Sequence, residues 1–79
     1  MSGGGTATLP VVSGRDVVRA LRKIGYFLDH QRGSHMVLRQ EKQPYRRIVV
    51  PDHKVVAKGT LRAIIRDAGL TVAELNALL

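Results

Sequence analysis

The sequence predicts a single α+β domain in which helices cover one face of a three-stranded antiparallel sheet. Three observations carry that expectation. Apolar residues recur at helical spacing near both ends of the chain, at Val17, Leu21 and Ile24 and again at Leu61, Ile64, Ile65 and Ala68. Between them, from Tyr26 to Val50, apolar and polar residues alternate with a period of two. That alternating region is broken by two turn signals, Arg32-Gly33 and a polar stretch containing Pro44.

Each element has its own local reason. Ser13 is a favoured N-cap for a first helix over about 14–24, Asp16 places a negative charge where the helix dipole favours it, and Gly25 suits the left-handed position after the last turn. Tyr26 to Gln31 and Ser34 to Arg39 read as a hairpin, and Arg46 to Val50 as a third strand stopped by Pro51. Alternation assigns Tyr26, Leu28, Met36, Leu38, Ile48 and Val50 to the core face, and His35, Val37, Arg47 and Val49 to the open face. Residues 52–58 form a loop, and the second helix stops at Gly69. Thr71-Val72-Ala73-Glu74 has the form of a capping box, opening a short third helix with Val72, Leu75 and Leu79 inward. Residues 1–12 carry no charge and include Gly3-Gly4-Gly5, so they read as a flexible tail preceding a domain at 13–79.

Composition narrows the function. The 79 residues contain 13 Lys and Arg against 6 Asp and Glu, a formal charge of +7, and the pI is near 10.9. All the basic residues lie between Arg15 and Arg66 with no long basic run, which describes a folded basic surface suited to nucleic acid or to an acidic protein. With no cysteine, a disulfide framework and thiolate metal sites are excluded, and the reducing cytoplasm is the expected compartment. There is no apolar run long enough for a membrane span and no signal-peptide pattern, so no membrane partner is expected. Phosphate-loop, dinucleotide and zinc-protease motifs are missing, and neither a metal nor a cofactor is expected.

The chemistry that remains rests on His30, His35 and His53 in an arginine-rich chain. Metal-free RNA cleavage needs a base for the ribose 2′-hydroxyl, an acid for the leaving oxygen and cations for the phosphorane charge, and histidine with arginine supplies these. His35 follows Gly33-Ser34 at the hairpin tip, where a small turn leaves room for a ligand; an idle surface histidine is the competing reading. His53 could fix the strand-to-helix connection structurally or act as a second acid or base. His30 has no distinguishing feature. Tyr45 could stack on a base or simply pack its turn, and Gly59-Thr60 begins a helix whose first amides favour an anion.

Taken together, Gly25-Tyr26, Gln31-Arg32-Gly33-Ser34-His35, Val50-Pro51-Asp52-His53 and Lys58-Gly59-Thr60-Leu61-Arg62 resemble the HicA (YcfA-like) toxins of bacterial toxin–antitoxin pairs, from about Ser13 to Leu79. The resemblance implies a double-stranded-RNA-binding-like fold and an mRNA interferase that stops growth. It also implies that His35, in the Gly-Ser-His segment, is catalytic, and that a HicB-type antitoxin neutralises the protein. Arg32, Ser34, Arg39, Arg47 and Lys58 are then the candidate RNA contacts. A non-catalytic RNA-binding module of the same fold is the alternative.

Overall fold

The structure, a computed structural model, describes residues 7–79. Its elements are α1 (Gly14–Arg22), β1 (Tyr26–Arg32), β2 (His35–Gln40), β3 (Arg47–Pro51), α2 (Lys58–Asp67) and α3 (Val72–Leu78). The strands form an antiparallel sheet in the order β1-β2-β3, and the helices lie on one of its faces, α1 against β1 and β3, α2 against β3, and α3 against α1. The expected α+β order is what the chain adopts.

Local chemistry sets the helix boundaries. Ser13 and Asp16 close a reciprocal capping box, the Asp16 amide donating to Ser13 Oγ at 3.1 Å and the Ser13 amide to Asp16 Oδ2 at 3.2 Å. Thr71 and Glu74 close a second box at α3. α1 ends two residues earlier than its apolar spacing suggests. The amides of Lys23, Ile24 and Gly25 bond back three residues, and Gly25, at φ +96°, turns the chain into β1. Ile24 is consequently left partly exposed.

Between helices and sheet lie Val17, Leu21, Tyr26, Met36, Leu38, Ile48, Val50, Leu61, Ile64, Ile65 and Leu75. Leu21, Leu38, Leu61 and Leu75 are fully buried, each worth about 1.5–3 kcal/mol by transfer from water. Two inward assignments and the reading of a tail need correction. Leu28 is 39% exposed, Leu79 projects outward while Leu78 packs on the core, and the core extends into the segment read as a tail. Of that segment, residues 1–6 lie outside the described residues. Val12, however, is buried, Leu9 packs against the core, the Val12 carbonyl accepts from Val56 N at 2.9 Å, and the Thr8 carbonyl accepts from Asn76 Nδ2 at 3.1 Å.

Leu28 is exposed next to a defect in the ladder. Leu28 pairs with Leu38, but the next pair is His30 with Val37, so Asp29 is an extra residue on β1. Side chains of paired residues share a face, so one extra residue reverses the parity of everything after it. Simple alternation from Tyr26 and Leu28 would send His30 and Arg32 to the helix side and Gln31 outward. The bulge does the opposite: Gln31 pairs with Met36 on the helix side, and Arg32 pairs with His35 on the open side.

The start of α1 sits directly on the end of β3. Gly14 N donates to the His53 carbonyl at 2.9 Å, and a Cβ at position 14 would overlap the Pro51 carbonyl oxygen. Gly14→Ala should therefore cost about 1–3 kcal/mol, the usual range for overpacking. Gly59→Ala, where an added Cβ meets open space, should leave stability unchanged or raise it by up to about 1 kcal/mol. Urea unfolding midpoints of the two variants compare these outcomes.

Candidate active site

The helix-free face of the sheet carries its side chains in rows set by the register. His35 stands between Arg32 and Pro51, Val37 between His30 and Val49, and Arg39 between Phe27 and Arg47. His35 is exposed at the start of the central strand, immediately after the two-residue turn Gly33-Ser34, with Gly33 at φ +58°. It forms one wall of a cleft of about 350 Å³ together with Val49, Pro51, His53, Ala57 and Thr60. The cleft therefore joins the open sheet face to the first turn of α2.

That turn differs from the other two helix starts. α1 and α3 satisfy free amides with their own Ser13–Asp16 and Thr71–Glu74 boxes, whereas α2 has Ala57 at its N-cap, no side-chain cap and no acid in its first turn. Its first intrahelical bond runs from Leu61 N to the Ala57 carbonyl at 2.8 Å, so the amides of Lys58, Gly59 and Thr60 precede the ladder. Unsatisfied amides, the positive end of the helix dipole and the Lys58 ammonium together favour an anion such as phosphate.

The candidate residues fall into two groups on the open side. His35 and His53 line the cleft, Arg32 pairs with His35, Ser34 precedes it, and Lys58 opens α2 next to the cleft residue Ala57. Arg39 and Arg47 lie four residues further along their strands, about 13 Å away at 3.3 Å per residue. His53 holds the β3–α2 loop to α1 through its backbone carbonyl and is one of the residues lining the cleft; its imidazole has no hydrogen-bond partner among the described residues. Tyr45 is exposed at the β2–β3 turn, with φ +57°.

Two clusters were not visible in the sequence. The bulge residue Asp29 accepts from His30 Nδ1 at 2.8 Å and Arg39 Nε at 3.4 Å, and these partners, His30 first, hold its carboxyl below the usual carboxylate range. On the helix side, Arg15 Nε and Nη2 reach the two carboxylate oxygens of Asp52 at 3.2 Å each. Gln31 Nε2 donates to Asp52 Oδ2 at 3.1 Å and to the Gly33 carbonyl at 3.0 Å, and Asp52 N donates to the Ser34 carbonyl at 2.6 Å. The Arg15 bond, then the Gln31 bond, lower the Asp52 pKa. An Asp next to a predicted strand end with an Arg one helix away gave the only sequence hint, and spacing alone could not pair them.

Among the described residues no three His, Cys, Asp or Glu side chains group closely enough to hold a metal ion, and no helix is long and apolar enough to cross a membrane. Compared with known proteins, residues 14–70 match the family model described as HicA toxin of bacterial toxin-antitoxin, from the first residue of α1 past the end of α2. No curated protein matches the chain.

The Asp52 pairing sets a pH dependence. A carboxyl whose folded pKa is depressed contributes stability above its unfolded value of about 3.9 and loses it as pH falls through the lower folded value. Below about pH 4 the native protein should lose stability more steeply than Asp52→Asn, which has no such charge to lose. Thermal midpoints of both proteins between pH 7 and 2 make the comparison.

Proposed function

The chain belongs to the HicA toxin family, and from that premise we propose that it is a metal-independent endoribonuclease that cuts mRNA with His35 as general acid or base. The family match supports the toxin role and, with it, an antitoxin partner. The observation that carries the catalytic reading is the cleft itself, which His35 and His53 both line beside an uncapped helix start, in a chain of charge +7.

Cleavage runs by attack of the ribose 2′-oxygen on the adjacent phosphorus. The 2′-hydroxyl proton passes to a base, the new O–P bond forms, the bond to the 5′-oxygen breaks, and that oxygen takes a proton from an acid. His35 performs one of the two transfers. His53, on the other side of the cleft, is the protein group available for the second, and water is the other source. Arg32, Lys58 and the first amides of α2 bind backbone phosphate at the cleft. Arg39 and Arg47 extend the contact along the sheet face, and Ser34 offers its hydroxyl at the turn. These cations spread the charge that builds on phosphorus, where oriented positive groups act most strongly.

A HicB-type antitoxin presenting acidic side chains would cover this face and block RNA at the same time. Such an encounter is steered by opposite charge and weakened by salt. The cytoplasm, where transcripts and such a partner meet, is the setting this reading requires.

Incubating the protein and His35→Ala with excess labelled RNA in EDTA tests the reading. The native protein should turn over many RNA molecules, and the variant should cut at least about 10²- to 10⁴-fold more slowly while its RNA affinity stays within about threefold. Binding without turnover by the native protein identifies a non-catalytic RNA-binding module instead. Equal cutting by both proteins removes His35 from the chemistry.

A further inference from the structure

We propose that Gln31 is a positioning residue for His35, acting through the Gly33-Ser34 turn and the Asp52 carboxylate. The inference rests on the reading of His35 as the proton-transfer group. Its basis is a set of hydrogen bonds that the catalytic account does not use.

His35 follows a two-residue turn at the end of a hairpin, a place where backbone is ordinarily mobile. Here both carbonyls of that turn are held from outside it. The Gly33 carbonyl accepts from Gln31 Nε2, and the Ser34 carbonyl accepts from Asp52 N. The two anchors are linked, because the same Gln31 amide also donates to Asp52 Oδ2, and Arg15 grips that carboxylate from α1. One amide group thus ties the turn before His35 to the residue before His53. The consequence is a fixed spacing between the two imidazole-bearing walls of the cleft.

The chemistry of each group suits this task. An amide NH2 offers two donors and Gln31 uses both, one on a carbonyl and one on a carboxylate. Asp52 is ionised near neutral pH, as its depressed pKa requires, and so can only accept. Gln31 can reach both partners only because the Asp29 bulge turns it toward the helices; on an unbulged strand its side chain would lie on the side of the sheet away from Asp52. The side chain does not join the residues lining the cleft. Its effect on the reaction is therefore indirect.

Displacing a reacting group by about 1 Å can cost on the order of 10²-fold in rate. For Gln31→Ala and for the near-isosteric Gln31→Glu, kcat for RNA cleavage should fall about 10- to 100-fold while KM stays within about threefold. Glu keeps the bulk but cannot donate to a carbonyl or carboxylate, so a shared loss assigns the effect to the donors. Asp52→Asn keeps a side-chain acceptor and the backbone N–H, and should lose much less. Independently of activity, NMR should show the amides of Ser34 and His35 exchanging faster with solvent in both Gln31 variants, with the β3 and α2 amides unchanged.

The proposal is overturned if kcat is unaffected, if KM rises at constant kcat so that Gln31 binds RNA itself, or if Gln31→Glu retains native kcat. It is also overturned if exchange increases uniformly, which marks loss of the fold. Should the native protein fail to cut RNA, the proposed function falls, and the exchange measurement still decides whether Gln31 orders the turn.

Discussion

One extra residue in β1 decides what each face of this sheet can do. Strand alternation is binary, so a single insertion reassigns every later side chain. With Asp29 bulged, His30 and Arg32 join His35 on the open face, and Gln31 reaches toward α1 and Asp52. The bulge also explains why Leu28, the last residue before it, is only half-buried. The candidate site and the network behind it thus share one backbone irregularity.

Charge is distributed to the same end. Of the six acidic residues, Asp16, Asp29, Asp52 and Asp67 lie in ion pairs, and Glu74 closes the α3 cap. Asp16 and Glu74 thus serve as caps and Asp52 as a clamp on the helix side, while on the open face Asp29 offsets part of the charge of Arg39. Exposed pairs of this kind add little stability each. Their value here is geometric: Asp52 joins α1, β1 and the β3–α2 loop, and Asp29 holds His30 and Arg39 in place.

Much of the fold was legible from local rules. The Ser13 cap, the Thr71–Glu74 capping box, the glycines at positions 25, 33 and 69 and the helical spacing of Leu61, Ile64 and Ile65 each specify their element without reference to the rest. The placement of His35 on the open face followed from alternation in β2, which has no bulge. What escaped was non-local. A bulge has no fixed residue signature, so the faces of His30, Gln31 and Arg32, which follow it, could not be read from the alternation that holds elsewhere in the sheet. Val12 looked like tail because nothing around it is periodic, yet it is buried and its carbonyl accepts from Val56 N, forty-four residues away. The Arg15–Asp52 clamp spans 37 residues of sequence and could be paired only in three dimensions.

The strap formed by residues 8–12 has a consequence for how the chain comes into being. Its hydrogen bonds go to Val56 and to Asn76, and α3, a seven-residue helix too short to persist alone, contributes the fully buried Leu75. During synthesis at about 5–20 residues per second, residues 8–12 wait for Val56 and Asn76 to be made before these bonds can form. No early portion of the chain holds a complete core. The core is complete only once α3 has been made and the strap has closed against the rest of the fold.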